Sequence, residues 1–246
     1  MKNPFFLMLI LILPSCDKSI IGPQSCEINQ SPKDAYNFPI VPGTAAWDAL
    51  DTLTEQLDAT QVPERTARRM STDGLVETWM RYPLKTLVLQ AYSFPASIDY
   101  FLIHFNGLSE LVSREDSGCK LLERYKVFDL DELPSLQDHI PLVALLSNYA
   151  VMIHLREDQL KEMIKEGYAK YETQLNHLDY YSHSTITLDL WVCARAMKYL
   201  KYQPFLDDVY ESDDLWRFVE TGYLPSYLSS NSFELQSVIN HAQEFY

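Results

Sequence analysis

Glycine is scarce in this chain: seven residues in 246, two of which, Gly22 and Gly43, fall in a proline-rich N-terminal stretch. A phosphate-cradling glycine loop is therefore hard to build. No P-loop, dinucleotide fingerprint, Gly-x-Ser-x-Gly elbow or His-Glu-x-x-His helix occurs. Positive charge is also short, with 20 basic against 34 acidic side chains and a formal net charge of −14. Residues 1–15 hold only Lys2 as a charge, so the remainder carries about −15. Such a body repels nucleic-acid phosphates and anionic headgroups, and the cluster of Arg65, Arg68 and Arg69 is too small to reverse this. No nucleic-acid partner is expected; neutral partners such as glycans, or positive ones, remain compatible. Long apolar runs are missing as well. The greasiest N-terminal stretch, residues 5–13, has nine residues where a membrane-spanning helix needs about 20. Period-2 alternation that would mark strand hairpins is absent too.

What the chain does have is apolar bulk. Nearly half its residues (47%) are hydrophobic and 13% aromatic, enough to build a packed core.

The N-terminus reads "FFLMLILILPSCDK". Lys2 followed by a short apolar run is a signal-peptide pattern, and residues 1–15 are set aside from the fold on that ground. Leu13-Pro14-Ser15-Cys16 resembles the lipobox of bacterial lipoproteins, although Pro14 departs from the small or β-branched residue common at its position. The resemblance implies cleavage before Cys16, with diacylglycerol on its thiol and an acyl group such as palmitate on its new amine. Several acyl chains at ~0.8 kcal/mol per buried methylene make a firm membrane anchor. Residues 16–43, with four prolines and little periodicity, read as the lipidated N-terminus and a tether, whose reach as a flexible coil is ~30 Å. Tyr36, Phe38, Ile40 and Val41 give its second half the option of docking on the body. With Cys16 lipidated, Cys26, Cys119 and Cys193 remain, enough for one bridge and one free thiol. Cys193 lies on an apolar helical stripe, the setting of a buried thiol. Whether Cys119 pairs with Cys193 is left open by spacing.

Residues 44–246 read as a single all-helical domain: an all-α, irregular multi-helix array or bundle of roughly ten helices, with a solenoid-like variant compatible. Thr44 is expected to cap a helix through Trp47, Leu50, Leu53 and Leu57, and Pro63 to open a short charged one. Ser71, Thr72 and Asp73 cap a helix that Pro83 breaks, after which Leu84, Leu87, Val88 and Ala91 resume the pattern. Pro95 opens a helix with Ile98, Phe101, Leu102 and Phe105 on one stripe, and Asn106-Gly107 is its expected left-handed stop. Helices near 108–113 and 116–126 follow. The segment "VFDLDELPSLQDH" is expected to be a loop, and 141–155 a central buried helix. Beyond it, helical patterns run over 158–178, from Ser184 through Leu200, near 204–210, and over 213–221 to Gly222. The last is opened by Asn231 and Glu234.

The stretches "MSTDGLVETWMRYPL" and "HFNGLSELVSREDSGCKLLERY" resemble a group of largely uncharacterised secreted helical proteins from Bacteroidota, over about residues 70–125. That resemblance implies an exported, envelope setting and brings no activity. The expected address is the bacterial envelope, its outer membrane first.

Four groups carry candidate chemistry. Ser117-Gly118-Cys119-Lys120 has the Ser-x-x-Lys spacing of acyl enzymes but lacks their companion motifs. His177, Asp179 and His183 are the nearest approach to a metal set without matching a ligand pattern. Asp129, Asp131 and Glu132 lack the glycine of a calcium loop. Asp207, Asp208, Glu211, Asp213 and Asp214 stand among Phe205, Tyr210, Trp216 and Phe218, the mix of acids and rings a glycosidase uses. None meets the requirements of a catalytic, cofactor or metal site. The leading expectation is a lipid-anchored helical binding or interaction protein with a protein or glycan partner and no cofactor. The alternative is a hydrolase of glycan or envelope polymer using the acids at 207–214.

Overall fold

The computed structural model describes residues 26–133, 136–224 and 232–246. Among them are fourteen α-helices and one 3-10 helix, and no strand. Two short helices, α1 (Ala45–Asp48) and α2 (Leu53–Ala59), replace the single one expected from Thr44. Thr44 does cap α1, but Thr52 then forms a reciprocal capping box with Glu55 and starts a new helix. The hydroxyl of Thr52 competes for the backbone more strongly than the apolar spacing carries the helix through.

Next come α3 (Glu64–Ala67) and α4 (Thr72–Met80), the latter capped by Ser71. After Pro83 the chain forms the 3-10 helix Lys85–Gln90. Helix α5 (Phe94–His104) has Ser93 as its cap and Pro95 in its first turn. Asn106-Gly107 is not a left-handed stop: Phe105 is extended and Asn106 opens α6 (Asn106–Val112). Gly107 is needed for a different reason. The Phe105 ring folds over it, 2.5 Å from where a Cβ would stand. Helix α7 is Ser117–Lys126.

Helix α8 (Leu136–Leu146) begins inside the segment expected to be a loop and carries Pro141 in its interior. Proline costs a helix a hydrogen bond, but here every residue from His139 to Leu146 is buried. Tertiary burial outweighs the local penalty. The expected 141–155 helix instead stops at Leu146, because the Asn148 side chain accepts from the Ala150 N–H and caps the short α9 (Tyr149–Met152). Helices α10 (Glu157–Leu175) and α11 (His183–Tyr199) form the long antiparallel pair. They are followed by α12 (Gln203–Glu211), α13 (Asp213–Thr221) and α14 (Phe233–Gln243). Gly222 ends α13 in the left-handed region (φ 80°), as its sequence position predicts. Ser232 stands at the cap position of α14, and the expected cap residue Asn231 lies outside the described residues.

Helix α8 lies at the centre, packed against α4, α5, α7 and the 3-10 helix on one side and α11 on the other. One contiguous core joins both halves, with Trp79, Trp191, Tyr125 and Phe101 among its fully buried members. Among the described residues no helix is long and apolar enough to cross a membrane.

Residues 26–43 lie on the body as a strap, the option that Tyr36 and Phe38 left open. Cys26 is bridged to Cys119 at the start of α7, and Cys193 is the buried free thiol. Asp34 accepts from the Ser71 N–H (2.6 Å) and hydroxyl (3.0 Å), and the Tyr36 N–H donates to the Thr78 hydroxyl. Phe38 packs edge-on to Tyr82 and beside Phe105.

Candidate ligand-binding cleft

The cleft grows out of the break at Pro83. A 3-10 helix eclipses side chains three apart and runs only a few residues, so it ends at Gln90 with Leu87 and Gln90 on one edge. The link to α5 is extended at Ala91 and Ser93, which thrusts Tyr92 outward until 98% of it is exposed. On α5 the residues Phe94, Ser97, Ile98 and Phe101 face the core. Tyr100 and Ile103 fall off that stripe and stand at the surface.

Between these elements and Leu53 of α2 lies a concavity of about 440 Å³. Its lining is Leu53, Leu87, Gln90, Ala91, Tyr92, Ser93, Ala96, Ser97, Tyr100 and Phe101, with no charged side chain. The floor is rigid. Phe101 packs edge-on against Trp79 (5.6 Å) and Tyr82 (5.7 Å), and Tyr82 stacks on Phe105 at 4.0 Å. Burial pushes the Tyr82 phenol up to about 12. Both serines are used locally: Ser93 Oγ accepts from the Ala96 N–H and Ser97 Oγ donates to the Phe94 carbonyl. The Gln90 amide and the Tyr92 and Tyr100 hydroxyls make no hydrogen bond among the described residues. The Tyr100 ring is steadied by His104 at 4.2 Å.

Three other concavities carry charge. One of about 500 Å³ is bordered by Glu157, Lys161 and Lys201, and one of about 460 Å³ by Asp34, Arg65 and Arg69. The third, about 310 Å³, is bordered by Asp129, Asp131, Glu166 and Lys170. Lys170 is spoken for: it donates to the Phe128 carbonyl (2.7 Å), pairs with Glu166 (3.1 Å) and sits over the Tyr125 ring.

The sequence candidates take other positions. Lys120 turns away from acyl chemistry, bonding the Glu27 carbonyl and Asp73, while Ser117 is wholly buried, its hydroxyl without a partner among the described residues. His177 pairs with Asp131 (3.0 Å), and Asp179 and His183 are exposed. Asp129 accepts from the Asp131 N–H in a local turn, and Glu132 is exposed. Among the described residues no three His, Cys, Asp or Glu side chains are grouped to hold a metal. The acids at 207–214 serve helix ends and a contact between helices α12 and α14. Asp207 accepts from Gln203 (2.6 Å), and Asp208 from Ser237 (2.5 Å) with His241 at 3.2 Å. Asp213 and Asp214 occupy the first turn of α13, where the helix dipole favours them, and Glu211 ends α12. None of the five lines the concavities above. Cys16 lies outside the described residues.

Sequence reasoning missed a second feature, a wholly buried polar cluster. Asp189 of α11 accepts a hydrogen bond from the Tyr125 hydroxyl of α7, and the same oxygen lies 3.2 Å from His139 Nε2 of α8. The His139 ring is nearly parallel to Phe128, at 5.4 Å. Burial first, and the Asp189 carboxylate second, push the Tyr125 phenol well above its usual range. Burial likewise raises the Cys193 thiol. With all three groups fully buried, the cluster fixes how three helices meet. Its signal in the sequence was a carboxylate in the middle of the apolar run "ITLDLWVCA".

No protein-family model, curated protein or solved structure matches this chain.

Proposed function

We propose that this chain is a lipid-anchored binding module of the bacterial envelope, held to the membrane through Cys16 and taking its ligand in the Tyr92–Tyr100 cleft. The anchoring half rests on "LPSC" at the end of a short apolar run. The binding half rests on one observation: a concavity of about 440 Å³, within the size range of small-molecule sites, with a rigid aromatic floor and no charge in its lining. Apolar surface left open in this way favours a ligand that covers it. The strap supports the reading, since it braces the floor through Phe38.

Two measurements test the halves separately. Labelled palmitate enters the wild-type chain and fails to enter Cys16→Ala; equal labelling of both removes the anchor. An environment-sensitive apolar dye such as ANS binds the wild type and binds Tyr100→Ala more weakly; equal binding removes the cleft.

A second reading draws on the exposed rings of Tyr210 and Trp216 beside the acids at 207–214. It makes the protein a hydrolase of glycan or envelope polymer. Conversion of a glycan by the purified protein, lost in Asp207→Asn or Asp208→Asn, would select it.

A further inference from the structure

Resting on that reading of the cleft, we infer that its ligand is a neutral glycan. Charge is the first discriminator. None of the ten lining residues is charged, in a chain where 22% are, whereas the three concavities described beside it among the described residues present ionic groups. An anionic ligand finds no cation there and meets the field of a −14 chain; a cationic ligand finds no carboxylate in the lining.

The kind of polarity is the second discriminator. Tyr92 and Tyr100 offer aromatic surface over the buried Phe101, while two phenol hydroxyls and one primary amide stand at the rim without a hydrogen bond among the described residues. Such groups both donate and accept without carrying charge. A sugar ring matches this pairing: its C–H face packs on an aromatic ring while its edge hydroxyls take uncharged hydrogen bonds. Size agrees as well, since about 440 Å³ holds about two hexose units and leaves the chain free to run out of the open ends.

The two tyrosines divide the work. Tyr100, on a helix and backed by His104, is the fixed platform. Tyr92, on the extended link, is the ring that closes on the exposed face of the sugar.

The test uses the full chain purified in detergent, with calorimetric titration of cellohexaose, laminarihexaose, maltohexaose and mannohexaose, and hexagalacturonate as the charged counterpart. At least one neutral hexasaccharide binds and hexagalacturonate does not. Tyr92→Ala and Tyr100→Ala each weaken binding about tenfold or more, while Tyr100→Phe keeps most of it. Circular dichroism confirms that the variants fold, and both residues are exposed enough for that. If ANS is taken up and lost in Tyr100→Ala while no hexasaccharide binds, the glycan is overturned and the cleft stands. When neither ANS nor sugar binds, both fall. Binding that survives both alanine variants but is lost in Trp216→Ala places the sugar elsewhere and overturns the assignment. Self-association abolished by Tyr92→Ala, with no sugar binding, makes the occupant a second copy and overturns it equally.

Discussion

Removing the bridge between Cys26 and Cys119 tests the strap most directly. The two cysteines are 93 residues apart, so in the unfolded chain the bridge closes a loop that takes in α1 to α6. Chain-entropy bookkeeping for a loop of that length gives about 4.6 kcal/mol of stabilisation at 25 °C. Measured effects often fall below that figure, and about 3–5 kcal/mol is the expectation for Cys26→Ser. With a urea dependence of about 2–3 kcal/mol per molar, the unfolding midpoint falls by about 1–2.5 M. The native contacts of Asp34, Tyr36 and Phe38 do not involve the sulfurs, so the variant still folds and the loss appears in the midpoint. Cys119→Ser gives the same shift, and the double variant adds little to either, because one bond is lost in each case. A thiol count supplies the second readout. With Cys16 blocked by lipid, as proposed, the chain denatured without reductant exposes one thiol, Cys193, and denatured after reduction it exposes three. A midpoint shift below about 0.5 M, or three thiols without reductant, refutes the reasoning.

Other substitutions probe single contacts. Asp34→Ala removes an acceptor for the Ser71 N–H and hydroxyl at the start of α4, and costs about 1–2 kcal/mol by urea unfolding, with faster proteolysis of the strap under native conditions. Tyr125→Phe deletes the donor to buried Asp189 and costs about 1.5–3 kcal/mol, whereas Asp189→Ala, which strands both Tyr125 and His139, costs more. Equal stability of Tyr125→Phe and wild type would remove the cluster from the account of the core. Lys201 holds a left-handed backbone (φ 55°) at the end of α11, where the Tyr202 N–H bonds back to the Met197 carbonyl. Lys201→Gly therefore raises stability by about 0.5–1 kcal/mol in a thermal or urea transition.

Helical class was legible because apolar residues repeat at helical spacing through nearly the whole body. Ile98 and Phe101 of α5, Phe105 just after it, and Leu190, Cys193, Ala194 and Met197 of α11 are buried as their spacing requires. What failed was local competition. Thr52 and Asn148 each start a new helix inside a run whose hydrophobic pattern continues, because a side-chain oxygen satisfies backbone donors at that point. Pro141 failed in the opposite direction, overridden by burial that no neighbouring residue announces. The bridge partner of Cys119 was not legible, since spacing does not bring two chain segments together. The cleft was half legible. Tyr100 and Ile103 lie off the stripe of α5, and an apolar residue off its helix's packing face is a signal of exposure. Tyr92 gave none, because its exposure comes from the extended backbone at Ala91 and Ser93.

The same backbone explains why an open apolar cleft persists in a chain that packs so much of itself. Pro83 ends α4, and the 3-10 helix that follows is too short and too tightly wound to lay a full apolar face on α5. Leu87 is then half-buried and Leu89 exposed, and the gap beside them stays unfilled. A gap with a loose floor would collapse, since cores relax to fill what they can. This floor does not yield: Phe101 belongs to a cluster with Trp79, Tyr82 and Phe105, and the strap closes that cluster from the far side with Phe38. The bridge at Cys26 fastens the beginning of the strap. The covalent tie near the expected anchor and the rigidity beneath the cleft thus belong to one chain of contacts, which sets the floor before any ligand arrives and leaves only the rim tyrosines to adjust.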